Sequence, residues 1–151
     1  NQFSIEFAKE CFTREKNGEY YSGQLTFDVI DLFNDTRTFM AFDMVVAIEV
    51  AEHVADINGF LTQLKRFTKR DKQGRPLDTE FFISTPNRAH AKLQKHQPAN
   101  PFHVREWTSV EFAALLRNHF EQVEILNQKG EPIPEDNAVD QIVFAKCSKP
   151  I

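Results

Sequence analysis

Phe42-Asp43-Met44-Val45-Val46-Ala47-Ile48-Glu49-Val50-Ala51-Glu52-His53-Val54 is the stretch whose reading decides the fold. From Phe42 to Ile48 it is nearly all apolar. A short run of that kind suits a strand covered on both faces, as in a parallel sheet. Polarity then changes abruptly. Glu49, Glu52 and His53 follow at i, i+3 and i+4, so one helical turn would set all three on one face. Ligands of open α/β sheets bind at the carboxyl ends of the strands, which is where these ionisable groups fall.

Downstream, Asp56 is placed to cap a helix. Ile57, Phe60, Leu61, Leu64 and Phe67 form its apolar face, and Lys65, Arg66, Lys69 and Arg70 follow where cations complement the helix dipole. Residues 71–78 form a polar loop around Gly74 and Pro76. Residues 80–84 (Glu-Phe-Phe-Ile-Ser) read as a second short buried strand, stopped by Pro86. Residues 88–105 have no period and carry Pro98, Pro101, His90, His96 and His103; long irregular segments in compact domains are usually functional loops. Thr108-Ser109-Val110-Glu111 matches a capping box, and Phe112, Leu115, Leu116, His119 and Phe120 continue at helical spacing. Residues 123–126 and 141–145 read as two last strands around a proline-containing loop at 130–137. Upstream, Ser4 is placed to cap a helix bearing Ile5, Ala8 and Phe12 that ends at Asn17-Gly18, and residues 25–32 read as a strand.

Strands alternating with helices imply an α/β fold with a mostly parallel sheet and right-handed crossovers. The last two strands lack a helix between them and should pair antiparallel. A sheet of this kind normally opens on a strand whose following turn carries glycines. Here the order opens on a helix, and none of the five glycines sits in a G-x-G-x-x-G pattern. The sheet therefore reads as one that begins in its middle.

The totals set bounds. The length of 151 residues suits a single domain, and 41% hydrophobic with 26% charged residues is a globular balance. The 15 phenylalanines read foremost as core filling. A net charge of −4 gives no basis for bulk affinity to nucleic-acid phosphates. Cys11 and Cys147 form no metal-spaced motif and read as reduced thiols, hence a cytoplasmic setting, with a single disulfide as the other option. No signal-peptide pattern and no membrane-length apolar run is present, so no membrane partner is expected.

Three motifs together carry a family resemblance. The opening stretch resembles the fourth strand and following turn of class I S-adenosylmethionine-dependent methyltransferases, of the E-V-x-E-H type. Ile83-Ser84-Thr85-Pro86-Asn87 is similar to the end of that family's fifth strand, and Asn100-Pro101-Phe102-His103-Val104-Arg105-Glu106-Trp107-Thr108 to the segment leading into its last crossover helix. The resemblance covers nearly the whole chain. It implies a Rossmann-like sheet, N-terminally truncated, with an antiparallel last strand, in one partial methyltransferase domain over residues 1–151. The family's glycine turn and ribose-binding acidic residue have no counterpart here, so this chain by itself is expected to bind the cofactor poorly.

The resemblance also implies sites. S-adenosylmethionine would meet Asp31 and Leu32 at its adenine, although Asp31 reads equally well as a turn-initiating residue. Ala47, Ile48 and Glu49 would contact the cofactor from the end of the fourth strand. His53, beside the expected methyl position, is the candidate general base, with Glu49 as the second candidate catalytic residue. A sharper possibility is a metal site. Glu49, Glu52, His53 and His103 supply two carboxylates and two imidazoles, a donor set for Mg²⁺ or Mn²⁺. E-x-x-E-H with a later H-x-x-E-W-T is similar to the metal site of small-RNA 2′-O-methyltransferases, and equally to bacterial enzymes acting on small molecules or glycans. The plainer reading is that the carboxylates cap the next helix and His53 packs.

His90 and His96, with Arg88, Lys92, Lys95 and Arg105, read first as a solvated loop and second as a basic lid for an anionic substrate. His119 reads as a packing residue and Trp107 as an anchor of the helix start. The expected activity is O-methylation of a small-molecule or glycan acceptor. The alternatives are a metal-dependent RNA 2′-O-methyltransferase, disfavoured by the acidic balance, and an inactive interaction module that pairs its exposed sheet edge with another chain, such as a second copy in a homo-oligomer.

Overall fold

The computed structural model describes Glu6, residues 28–36, 41–90, Pro98 and 100–151. The chain divides into two units, Asn1–Thr36 and Arg37–Ile151. In the first, the helix expected from Ser4 onward lies outside the described residues except for Glu6, and so do residues 25–27 of the expected strand. The rest of that strand is not one: residues 28–31 have no regular structure and Leu32, Phe33 and Asn34 form a turn. Asp31 is the cause. Its carboxylate accepts the backbone N–H groups of Phe33 and Asn34 (3.0 and 3.2 Å) and the Asn34 side-chain amide (2.8 Å). Short Asp side chains close turns in this way and compete with strand pairing. The same bonds, led by the Asn34 amide, hold the Asp31 carboxyl below the usual carboxylate range.

The second unit is built on a four-stranded sheet in the order β1-β2-β4-β3. Strand β1 is Met44–Ala47, β2 Glu80–Pro86, β3 Phe120–Leu126 and β4 Ile142–Pro150. β1 and β2 are parallel, with Met44 opposite Glu80 and Ala47 opposite Ile83. β4 runs antiparallel to both of its neighbours, β2 and β3. Three strands thus share one direction, and the last strand inserts between the second and third against it. This is the mostly parallel, Rossmann-like sheet with an antiparallel last strand that the motifs imply. Pro86 does not stop β2 but is its final residue, opposite Ile142, a strand-end position that a residue without an N–H tolerates.

β2 is one of the two interior strands, and its Phe81, Ile83, Ser84, Thr85 and Pro86 are all buried. β1 differs from expectation: Ala47 is buried and Val45 half-buried, but Met44 and Val46 are exposed. Among the described strands β1 pairs on one side only, with β2. Helix α1, Ile57–Leu64, starts at Asp56, whose carboxylate accepts the Gly59 N–H at 2.9 Å. It buries Ile57, Phe60, Leu61 and Leu64, while Phe67, the fifth member of the expected apolar face, falls past the helix end and is half-buried; each fully buried side chain contributes about 1.5–3 kcal/mol. A 3₁₀ turn over Lys65–Phe67 ends it.

Helix α2, Ser109–Arg117, packs on β3 and β4 and buries Phe112, Ala113 and Leu116. Its capping box is complete in both directions. The helix stops earlier than its spacing predicts. Asn118 caps it, His119 lies in the turn, and Phe120 opens β3 with its ring 5.0 Å from that of Phe81. Both residues are buried, which is why helical spacing carries through the turn and hides it.

Candidate functional site

The rim of the parallel pair is shaped by one strained residue. Glu49, just past β1, has φ 52, the left-handed region that costs a non-glycine residue about 1–2 kcal/mol. Ser84 of β2 offsets it. The Glu49 N–H donates to Ser84 Oγ at 2.9 Å, and that hydroxyl donates to Glu49 Oε1 at 2.8 Å. Two such bonds contribute about 0.5–1.5 kcal/mol each, comparable with the strain. The consequence is that Glu49, Glu52 and His53 do not share one helical turn. Only Ala51–His53 is helical, as a single 3₁₀ turn, and the Glu49 carboxylate is held by Ser84.

That turn places Glu52 inside. It is 1% exposed, and neither carboxylate oxygen has a hydrogen-bond partner. Its own carbonyl is used: the N–H groups of Val104 and Arg105 donate to it at 2.7 and 3.3 Å, which docks the irregular segment against the rim. Burial pushes the Glu52 carboxyl up from its ordinary value, and the nearby Glu49 charge adds to this while His53 and His103 oppose it.

His53 and His103 meet edge-on beside Glu52, with ring centres 4.8 Å apart. His53 Nδ1 lies 3.0 Å from the Phe102 carbonyl, which can only accept, so Nδ1 carries the proton. His53 Nε2 then faces Glu52 Oε1 at 3.7 Å. His103 Nδ1 lies 2.7 Å from Glu106 Oε1, and its Nε2 2.9 Å from the Asn100 side-chain nitrogen. One ligand atom from each of Glu52, His53 and His103 falls within 4.8 Å of the others.

A buried carboxylate without a donor costs several kcal/mol unless it takes up a proton or a cation. An orphaned carboxylate beside two imidazole nitrogens is a mixed O/N donor set of the kind that holds a first-row divalent ion, so these residues fit one. Ile48 and Val50 expose 44% and 38% of their surface at the carboxyl end of β1, an apolar wall at the place where open α/β sheets bind ligands. Asp31 and Leu32 belong to the other unit, where the Asp31 carboxylate closes its own turn.

The remaining residues fall into place around this cluster. Arg88 is tied to Glu111, the capping-box glutamate, and His90 donates its N–H to the Asn87 carbonyl at 2.9 Å. Lys92, Lys95 and His96 lie outside the described residues. Arg105 is exposed and, with Arg88, Val104, Glu106 and Trp107, lines an open groove of about 680 Å³. Trp107 is buried against Phe112, with ring centres 5.9 Å apart. His119 is a buried packing residue whose Nε2 meets Asn58 Oδ1 at 3.0 Å; burial first, then the Lys65 charge, lowers its pKa. Cys147 is a free thiol in the core, pushed up to about 12 by burial. Among the described residues, no helix is long and apolar enough to cross a membrane.

Sequence reasoning missed three partners of the cluster: Ser84, Asn100 and Glu106. The i, i+3 spacing of His103 and Glu106 was the available signal for the last. Asn100 stands at the same spacing before His103, and only Ser84 is set by a contact that no local pattern encodes.

No protein-family model matches the chain, and a search of curated proteins returned no significant match. Solved structures do match. One is a SAM-dependent methyltransferase from Thermotoga maritima, described as a possible histamine N-methyltransferase, with TM-score 0.58 and 16% identity over 78% of this chain. Another is the small RNA methyltransferase HEN1, with TM-score 0.52 and 22% identity over 78% of this chain. The chain spans 60% of the first protein and 15% of the second. With the antiparallel strand inserted between β2 and β3, these likenesses define the fold: it is that of the class I SAM-dependent methyltransferases.

Proposed function

We propose that the protein carrying this chain is an S-adenosylmethionine-dependent methyltransferase of the E-V-x-E-H type that methylates a hydroxyl oxygen of a small-molecule or glycan acceptor, in the cytoplasm. The observation that carries the reading is the buried, unpartnered carboxylate of Glu52 beside a ring nitrogen of each of His53 and His103. Fold alone does not choose an acceptor. A carboxylate and two imidazoles at the strand rim favour an acceptor that must lose a proton.

In the transfer, the acceptor oxygen attacks the sulfonium methyl carbon, an O–C bond forms, the S–C bond breaks and its electron pair stays on sulfur. The hydroxyl proton must leave. His53 is poised to take it: the Phe102 carbonyl occupies Nδ1–H, so Nε2 presents its lone pair. Alternatively, Glu52, His53 and His103, with Glu49 released from Ser84, would hold Mg²⁺ or Mn²⁺; the His53 Nε2 lone pair would then be a ligand and not the base, and such an ion would supply Lewis acidity that lowers the pKa of the acceptor hydroxyl. Glu52 and His103 then serve as ligands in a rim already dried by burial, and Ala47 and Ile48 bound the cofactor side. An RNA 2′-hydroxyl would suit the same donors, but the net charge of −4 weighs against a polyanionic acceptor.

Calorimetric titration of Mn²⁺ into the full-length protein tests the metal reading. Binding heat is expected for the wild type and its loss for His103→Ala; identical heats would remove the ion. A thermal shift with S-adenosylhomocysteine tests the cofactor reading, since a ligand that binds only the folded state raises its apparent stability. No shift in the full-length protein would favour the interaction-module alternative, which the exposed Met44 and Val46 on β1 would serve.

A further inference from the structure

The hydrogen bonds around His103 form a chain with one consistent direction. The Phe102 N–H donates to Asn100 Oδ1 at 3.0 Å, which settles the amide's orientation and leaves Nδ2 as the atom facing His103. An amide nitrogen can only donate, so His103 Nε2 must accept at 2.9 Å and the ring proton must sit on Nδ1. That proton goes to Glu106 Oε1 at 2.7 Å. Glu106 is itself buried, its side chain 2% exposed, and its other oxygen has no partner. The His103 ring is 12% exposed. A short, dry carboxylate–imidazole contact of this kind fixes both the tautomer and the plane of the ring.

We propose that Glu106 is a positioning residue for the cluster and that Asn100 is a displaceable cap on it. Glu106 holds His103 as the Nδ1–H tautomer, which leaves Nε2 as the ring's one lone pair in the cluster with Glu52 and His53. Asn100 occupies that lone pair until a cation replaces it. The two residues therefore act on cation binding with opposite sign: Glu106 promotes it and Asn100 competes with it. His53 has a backbone carbonyl in the equivalent place, so among the described residues it is Glu106 that brings a buried carboxyl group behind an imidazole of the cluster. The inference rests on the metal reading proposed above for its affinity consequences, but the tautomer assignment stands on the hydrogen bonds alone.

Two readouts on the full-length protein separate these parts. The first is the ¹⁵N spectrum of the histidine side chains without metal. Wild-type His103 is expected to show a protonated Nδ1 and a bare Nε2, and Glu106→Ala is expected to lose that single tautomer while the His53 pattern persists. Wild-type His103 protonated on Nε2, or an unchanged pattern in Glu106→Ala, overturns the proposal. The second is Mn²⁺ calorimetry. Glu106→Ala is expected to weaken binding by about 10- to 100-fold, the usual effect of losing a carboxylate behind a ligand histidine. Glu106→Gln, whose carbonyl can still accept from Nδ1–H, is expected to recover part of the loss, and Asn100→Ala to bind more tightly than wild type. Equal affinity for wild type and Glu106→Ala overturns the positioning role even though the ion binds. If the wild type binds no Mn²⁺, the metal reading falls and the ¹⁵N outcome still decides Glu106. Should Glu106→Ala fail to fold, Glu106→Gln with both readouts replaces it, and an unchanged tautomer with unchanged affinity overturns the role.

Discussion

Two glutamates at neighbouring structural junctions live under opposite rules. Glu111, in the first turn of α2, is saturated: its carboxylate accepts the Thr108 N–H at 2.8 Å and pairs with Arg88 at 2.6 Å. Those partners, Arg88 first, hold its carboxyl below the usual glutamate range. Glu52, in the turn after β1, is more deeply buried and has no hydrogen-bond partner on either oxygen, and burial pushes its carboxyl up. Native proteins pair nearly all buried polar groups, so the exceptions need an explanation. At Thr108–Glu111 the chemistry has been spent on stopping and starting the backbone. At Glu52, His53 and His103 it has been left available.

The largest expected effect that sharpens this contrast is at Glu52. Glu52→Gln should abolish detectable Mn²⁺ binding while leaving the melting temperature unchanged or raised, because it removes an uncompensated charge from a dry site. A melting temperature lowered by several degrees, with Mn²⁺ binding intact, would place Glu52 in the same structural class as Glu111. Next in size is the helix start. Thr108→Ala should lower unfolding stability by about 1 kcal/mol, as measured by urea titration, with no change in Mn²⁺ affinity. A metal effect there would break the separation between the two regions.

The smallest effect is in pH dependence, where the two carboxyls should differ in sign. Glu52 has a raised folded pKa, so its contribution to stability is present below the ordinary glutamate value of about 4.3 and is lost as pH rises toward the folded value. Glu111 has a lowered folded pKa, so its contribution is present above that value and is lost as pH falls through the folded one. Urea midpoints of metal-free protein across the acid range should therefore flatten above the ordinary value in Glu52→Gln and below it in Glu111→Gln. Both variants flattening the same window would remove the distinction.

Much of the architecture is legible in short patterns. Asp56, the spacing of Ile57, Phe60, Leu61 and Leu64, and the Thr108–Glu111 box are each local, and each forms as written. The strands after Phe42 and at Glu80 are local too, though the exposed Met44 and Val46 could not be read from an apolar run. The end of α2 was hidden because His119 and Phe120 are buried whichever structure they adopt. At the site, Glu52, His53 and His103 were visible as residue types. Their gathering was not, since it depends on Ser84 pinning Glu49 and on the Glu52 carbonyl catching Val104 and Arg105 from across the chain.

By itself, then, the sequence determined the elements and the donor atoms: an apolar strand, its acidic and imidazole neighbours, and the capped helices follow from side-chain size, polarity and spacing along the chain. Only the tertiary structure decided which donors are left without partners. Partnering across 35 residues, as between Ser84 and Glu49, or 49, as between Phe102 and His53, is a property of how the segments pack. Packing also excludes the water that would otherwise have satisfied Glu52. The difference between a carboxylate that caps a helix and one left without a partner lies in that exclusion.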